Sequence, residues 1–375
     1  MRAVAVVCLV LALSASTAQA QRRPGVHGPR ASEAARDAGP PGGRPVAVPP
    51  PVAGIERPCQ AADHDGDGLD DCLESELLDV HAPVLQLNPR SADRFRPANV
   101  DWYLRRVGLL FHHNNCPDDE VAPSGSLTQH RLLTFRVGKR AGLPFCRNTG
   151  SFVRTEGGPW DQDEHFVLSP DQPSVREGSD DPADWIVYGH AYLNAINGVN
   201  LQYWFFYPFN DNLGSFNHEG DWESMTVRLR HDRSVDRVFF CQHGNCDISR
   251  RPDQMAWVGG HPVGFVADGS HATYPSAEDC NDAPVSAEAG GPNCVSADTQ
   301  SLRWFTWRGG ARGRVGLQGG GVVNVGERGA PLNGQLFIDY VGIWGERGET
   351  KVTSGPRTPS QQASWNLDRL GAGAS

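Results

Sequence analysis

The amino-acid sequence predicts a mostly β protein, a β-sandwich with long disulfide-pinned loops, preceded by a solitary EF-hand-like calcium loop. Three observations carry that expectation. Beyond Asp79, short apolar runs recur between turn residues in a chain of 375 residues with 43 glycines and 28 prolines, a texture that favours strands over α/β alternation. Eight cysteines outside the N-terminal apolar stretch form an even set, as a disulfide framework requires. The segment Asp63–Glu74 carries the residue types of a twelve-residue calcium loop.

Residues 1–20 have the layout of a secretory signal: Arg2, an apolar stretch from Ala3 to Leu13, then Ala18-Gln19-Ala20 as a small-residue cleavage site. That stretch is too short to span a membrane, and no later run reaches transmembrane length. Cys8 lies inside it and not at the cleavage point, so no lipid anchor is expected. Loss of Arg2 leaves 33 basic against 44 acidic residues, which argues against nucleic acid or an anionic membrane as electrostatic partner. The expected protein is secreted, either extracellular or periplasmic. Residues 21–57, rich in Pro and Gly and poor in large apolar residues, read as a flexible leader. The remaining divisions are 58–79 for the calcium loop and a short helix, 80–366 for the β domain, and 367–375 for a polar and Gly/Ala tail. No internal repeat suggests a solenoid or propeller.

In the loop, Asp63, Asp65 and Asp67 occupy positions 1, 3 and 5, and Gly68 supplies the sharp turn. Leu69 offers its carbonyl, Asp71 sits at position 9, and Glu74 gives the bidentate carboxylate at position 12. Leu69, Leu73 and Leu77 recur every four residues and predict a short amphipathic helix. The preceding Pro-rich segment cannot supply an entering helix, so a structural clamp is expected in preference to a signalling switch. Nearest-neighbour pairing of the cysteines gives Cys59–Cys72, Cys116–Cys146, Cys241–Cys246 and Cys280–Cys294.

Strands are expected at Ala82–Leu87, Leu132–Val137, Trp185–Leu193, Asn200–Tyr207, Glu223–Leu229, Val238–Gln242, His261–Ala267 and Leu336–Trp344. The polar stretches 114–130, 155–184 and 277–300 read as loops, and Gly319–Gly321 as a loop or bulge. In the run Asn217-His218-Glu219-Gly220-Asp221-Trp222-Glu223, alternation places Asp221 and Glu223 on the same face as Met225, Val227 and Leu229. Two carboxylates turned toward a core need a cation or an arginine, since an unpaired buried charge costs several kcal/mol or more. A divalent ion, Ca²⁺ or Mg²⁺ with Mn²⁺ or Zn²⁺ as alternatives, would satisfy them together with His218. The competing reading is a strand-edge hydrogen-bond cluster with an arginine salt bridge. His271, in Ser270-His271-Ala272-Thr273-Tyr274-Pro275, is a further candidate, as a ligand or a general base. His190 and His243 are weaker ones. The aromatic cluster Tyr203–Phe209, with Trp304 and Trp307, would suit sugar stacking if exposed but is more often core.

Val80-His81-Ala82-Pro83-Val84-Leu85, Phe95-Arg96-Pro97 and Val100–Leu104 resemble the opening of the Vps62-related family, also described as a plant domain of unknown function. Gln202–Asn210, the His218–Glu223 run, Gly269–Pro275, Tyr340–Gly345, Gly355-Pro356 and Trp365 follow its later signatures in order, over about residues 80–366. A narrower motif similarity is to the necrosis- and ethylene-inducing toxins, with their signature Gly-His-Arg-His-Asp-Trp-Glu. That resemblance implies an actinoporin-like fold, or a jelly-roll relative of it, and a cation held by Asp211, His218, Asp221 and Glu223. Gly220 and Asn217 depart from it, where the toxins have His and Gly.

The sequence lacks a Gly-x-Ser-x-Gly elbow, a P-loop and a dinucleotide fingerprint, and Trp222 stands where a zincin would place its second His. Three functions remain open. One is a cation-dependent glycan or glycolipid binding module with cytolytic activity implied by the toxin resemblance. The others are a metal-dependent hydrolase with His271 as proton carrier, and a purely structural calcium-stabilised envelope protein.

Overall fold

The computed structural model describes residues 62–112, 117–137, 152–153, 165–211, 217–242, 244–283, 294–295, 302–307, 317–318, 320–346 and 354–371. Its first elements are α1 (Asp71–Val80), β1 (Val84–Gln86), α2 (Val100–Leu104), β2 (Val107–His112), β3 (Asp119–Ala122), α3 (Gln129–Leu132), β4 (Arg136–Val137), β5 (Phe152–Val153) and β6 (His165–Pro170). The long strands follow: β7 (Ile186–Leu193), β8 (Val199–Asn210), β9 (His218–Leu229), β10 (Val235–Gln242) and β11 (Asn245–Arg250). Then come β12 (Trp257–Val258), β13 (His261–Val266), β14 (Thr273–Tyr274), α4 (Ala277–Asn281), β15 (Arg303–Phe305), β16 (Leu317–Gln318), β17 (Gly321–Asn324), β18 (Gly326–Glu327) and β19 (Ala330–Pro331). The protein is mostly β, as its composition suggests.

The main sheet runs β11-β10-β9-β8-β7-β17, antiparallel except for the parallel β7–β17 pair. Alternation along β8 and β9 divides their side chains between two cores. Leu201, Tyr203, Phe205, Met225, Val227 and Leu229 meet Leu85 of β1, Val266 of β13 and Trp304 of β15. Trp204, Phe206 and Trp222 meet Leu109, Phe111, Phe166 and Leu168 of the β3-β2-β6 sheet, together with Phe337 and Trp344. A second large sheet, β12-β13-β1-β15-β16 with β14 on β13, therefore covers one face of the main sheet. The aromatic cluster is core: Tyr203–Tyr207 and Trp304 are each at most 1 % exposed, which removes sugar stacking from their roles.

Several sequence expectations need correction. Thr128 caps α3 by accepting from Arg131 N at 3.2 Å, so Leu132–Val137 is a helical turn followed by a two-residue strand. Leu336–Trp344 is no strand: Leu336–Asp339 is a 3₁₀ turn, and Tyr340 to Trp344 plugs the core through Trp344 Nε1 donating to Thr358 at 2.9 Å. The apolar residues of that run wrap around a bend and do not alternate. The stretch 155–184 contributes β6, 114–130 contributes β3, and 277–300 contributes α4. Gly321 opens β17.

Two expected disulfides are present, Cys241–Cys246 and Cys280–Cys294. Cys72 is disulfide-bonded, while Cys59, Cys116 and Cys146 lie outside the described residues, as does the whole of 1–57. Both ends of the described chain are pinned to the β7–β8 hairpin. Tyr203 Oη donates to Leu78 O at 3.0 Å on the α1 side. From the other end, Tyr192 Oη donates to Leu367 O at 2.7 Å, and Leu370 N donates to Leu193 O at 2.9 Å.

Candidate functional site

Two polar centres stand out, one in the loop before α1 and one at the β8–β9 end of the main sheet. In the loop, Asp70 caps α1 by accepting from Cys72 N and Leu73 N, and Asp63 accepts from Gly66 N and Gly68 N. Gly66 and Gly68 have φ of 79° and 93°, so the turn depends on glycine there. These constraints draw the carboxylates inward into two overlapping groups, Asp63–Asp65–Asp71 and Asp65–Asp67–Glu74, with oxygens within 4.8 Å of one another. All five side chains expected as ligands are in these groups. Leu69, whose carbonyl is the sixth expected donor, gives its N–H to Asp67 Oδ1 at 2.8 Å.

The loop is docked, not dangling. Leu77 and Leu78 sit in the core beneath the main sheet, and Glu74 is fully buried with Oε2 accepting from Asn324 Nδ2 of β17 at 2.6 Å. Glu74 Oε1 and both carboxylate oxygens of Asp65, which is 9 % exposed, have no hydrogen-bond partner. Burial pushes the Asp65 pKa up to about 7 and, with the Asp67 charge adding, that of Glu74 up to about 9. Buried polar atoms are ordinarily paired. An all-oxygen donor set of this kind fits a hard cation such as Ca²⁺, which Asp63, Asp65, Asp67, Asp71 and Glu74 would hold.

At the second centre, Asp221 faces Tyr207 across β8–β9, and Glu223 faces Phe205. Both carboxylates point to the apolar face, as alternation predicts, and both are at most 2 % exposed. His271 reaches Asp221 from a tight turn in which His271 N donates to Ala267 O at 3.1 Å and its own φ is 55°. A left-handed non-glycine residue costs roughly 1–2 kcal/mol, so packing holds it there. Its imidazole stacks on Tyr207 at 3.9 Å and 3°. Nδ1 lies 3.0 Å from Asp221 Oδ2, and Nε2 lies 3.8 Å from Asp93 Oδ2. Burial pushes the Asp221 pKa up and that of His271 down, with Arg96 and His218 adding to the latter.

The other expected ligands do not close into one sphere. Among the described residues, groups of three His, Cys or carboxylate ligand atoms within 4.8 Å of one another occur in the loop and not here. His218 Nδ1 donates to Gly220 O at 2.7 Å, and Asp211 is half-buried, accepting from Asn217 at 3.0 Å. Asp93 and Arg96 complete the centre and escaped sequence reasoning. Asp93 is buried, its pKa pushed up to about 6 by burial, and Arg96 is the buried cation whose charge opposes that shift. The Asp93-Arg94-Phe95-Arg96 spacing held the only signal: an aspartate accepting from the backbone two residues on, Phe95 N at 2.9 Å. The Arg96 guanidinium donates to Phe95 O at 2.7 Å and Asn88 O at 3.0 Å, and its charge acts on Asp93 and His271.

Gly220 has φ of 67°, and a Cβ there would stand 2.2 Å from Trp344 O. No larger residue fits this position of the motif. Gly220→Ala is expected to cost roughly 2–5 kcal/mol, combining left-handed strain and overpacking, as read by urea unfolding.

His190, the weaker candidate, is fully buried away from this centre, stacked on Trp365 at 3.7 Å. Nδ1 lies 3.1 Å from Gln202 Oε1 and Nε2 lies 2.9 Å from Glu327 Oε1, a carboxylate that Arg369 also holds. Burial takes its pKa from 6.5 down to about 3, outweighing the Gln202 hydrogen bond. The unfolded chain therefore takes up this proton first on acidification. The contribution of neutral His190 is complete above about pH 6.5 and shrinks as pH falls toward 3, by about 1.4 kcal/mol per pH unit. His190→Gln should flatten that part of the stability–pH profile. His243 lies outside the described residues.

No family model matches the chain, so the Vps62-related resemblance has no such support, and no curated protein matches it either. Solved structures give partial similarity. Necrosis and ethylene inducing protein 2 from the causal agent of cocoa's witches' broom disease is 19 % identical over 27 % of this chain and 45 % of that one, with a TM-score of 0.21. NLPPya in complex with glucosamine is 16 % identical over 22 % of this chain and 40 % of its own (TM-score 0.19). NLPPya in complex with mannosamine is 15 % identical over 23 % and 47 % (TM-score 0.19). The chain spans less than half the length of each, so the likeness is local.

Proposed function

We propose that the protein is an exported calcium-binding β-sandwich protein that works as a cation-dependent binding module for a glycan or glycolipid head group. The observation that carries the calcium reading is the loop: five carboxylates converge there, and Asp65 and Glu74 are buried with unpartnered oxygens. The two disulfides among the described residues support export. Among those residues no helix is long and apolar enough to cross a membrane.

Binding is favoured over hydrolysis by burial. A general base must come within hydrogen-bond reach of its substrate. His271 is fully buried, and its two ring nitrogens face Asp221 and Asp93. In this reading the Asp221 centre is a positioning core for the surface above it, and a second cation there, Ca²⁺ or Mg²⁺, involves Asp211, His218, Asp221, Glu223 and His271.

Metal analysis of the purified protein tests both ion assignments. Two ions per chain support both sites, one ion lost on Glu74→Gln confines calcium to the loop, and no bound ion removes the reading. Glycan-array binding with and without chelator tests the module, and binding unchanged in Asp221→Ala/Glu223→Ala would separate the ligand from that centre. Dye release from glycolipid vesicles tests the cytolytic part.

A further inference from the structure

Glu74 differs from its neighbours in the loop by where its partner comes from. Asp63 accepts from Gly66 N and Gly68 N, Asp67 from Leu69 N at 2.8 Å, and Asp71 from His64 N at 2.9 Å, all within the loop and the first turn of α1. Glu74 Oε2 instead accepts from Asn324 Nδ2 at 2.6 Å, across 250 positions.

The sheet brings the two together. Asn324 ends β17 and stands opposite Gly189 of β7. A Cβ at Gly189 would lie 2.8 Å from both Cδ atoms of Leu78, so α1 can rest on β7 at that point because the residue is glycine. The buried Asn324 amide has one orientation open to it. Its Oδ1 accepts from Gly326 N at 3.1 Å, which turns the donor Nδ2 toward Glu74. Asn333 Nδ2 holds the same residue from behind by donating to Asn324 O at 2.9 Å.

The two oxygens of Glu74 are thereby divided. Oε2 is taken by the asparagine, while Oε1 is buried with no hydrogen-bond partner in the group that Glu74 forms with Asp65 and Asp67. Both oxygens of buried Asp65 are unpartnered as well, so the group has open acceptors and no donor of its own to fill them.

We infer that Asn324 is a positioning residue for the ion of this loop, fixing Glu74 so that Oε1 is the oxygen presented to the ion and setting which ion fits. The inference rests on the calcium reading of the loop and deepens it. Calcium accepts oxygen ligands at about 2.3–2.6 Å in adaptable geometry, whereas magnesium demands a near-ideal octahedron at about 2.0–2.1 Å. Carboxylates braced by the loop can follow a small ion inward. One tethered to β17 cannot, so the tether raises affinity for calcium and discriminates against magnesium.

Calorimetric titration of the full chain, stripped of metal, with calcium and separately with magnesium tests the assignment. Asn324→Leu is close in size and lacks the donor. It is expected to weaken calcium binding by about 10–100-fold, the range for removing an outer partner of a metal ligand, and magnesium binding by less. Asn324→Ala removes the donor without placing apolar bulk against Glu74 and should act in the same direction. Asn333→Gly is the control: it tolerates the φ of 50° and loses only the bond to Asn324 O, so it should bind calcium as the parent does. A parent that takes up no calcium overturns the loop reading and this inference with it. A parent that binds calcium while both Asn324 variants bind it equally well overturns this inference alone, as does an equal loss in Asn333→Gly. Equal weakening of both ions overturns the selectivity. A fall in melting temperature common to calcium and chelator, with an unchanged dissociation constant, would make Asn324 purely structural.

Discussion

Chelation of calcium is expected to lower the melting temperature by roughly 4–6 °C, and Glu74→Gln is expected to erase the difference between calcium and chelator. The size follows from mass action. An ion present at about 100–1,000 times its dissociation constant stabilises the folded state by about 2.7–4.1 kcal/mol, and at about 2.1 cal/mol/K per residue a folded chain of about 300 residues shifts by roughly 1.5 °C per kcal/mol. The variant separates calcium binding from simple packing by a change of sign. In calcium, Glu74→Gln loses a charged ligand and should melt earlier. In chelator, Glu74 is a buried acid that holds its proton to about pH 9, and an amide of the same shape can still accept from Asn324. The chelated variant should therefore be as stable as the chelated parent or more so. Differential scanning calorimetry in both buffers reads the effect, and equal melting temperatures for the parent in both would remove the ion from the loop.

His271→Ala is expected to cost about 3–5 kcal/mol of unfolding free energy, the range for emptying the space of a buried ring, with unpaired buried polar groups adding to it. The residue fills the space against Tyr207 and stands between Asp221 and Asp93, so its loss opens a void and leaves two buried acids facing it. His271→Asn should recover part of the loss, because asparagine tolerates a φ of 55° and can still bond Asp221. Urea unfolding monitored by tryptophan fluorescence measures both variants. A cost below about 1 kcal/mol for the alanine would mean that the centre relaxes or floods on substitution.

Local chemistry was legible in the sequence wherever one segment contains its own explanation. The loop could be read because Asp63 to Glu74 supplies its turn glycines and carboxylates within twelve positions. The face of Asp221 and Glu223 could be read because alternation along β9 continues into Met225, Val227 and Leu229. What escaped depends on distant partners. Asp93 meets His271 across 178 positions, and nothing around Ser91-Ala92-Asp93 marks the aspartate as buried. Arg96 was visible as part of a motif, but its burial beside Asp93 was not. The run Leu336–Trp344 was misread because a plug and a strand present the same density of apolar residues. They differ in backbone path, here fixed by Thr358 and Ser360 accepting or donating across the bend.

The grip of both chain ends on the β7–β8 hairpin has a consequence for the order of assembly. The ribosome makes the calcium loop first, whereas Asn324, which orients Glu74, comes 250 residues later, and Leu367, which meets Tyr192, later still. Contacts of such long sequence separation form late and slowly. A chain made only as far as α1 thus carries Asp63–Glu74 as a loose acidic peptide, and the arrival of Asn324 turns those carboxylates into a fixed group that could hold a metal. An ion bound by those carboxylates would be gripped tightly only once β17 has joined the main sheet.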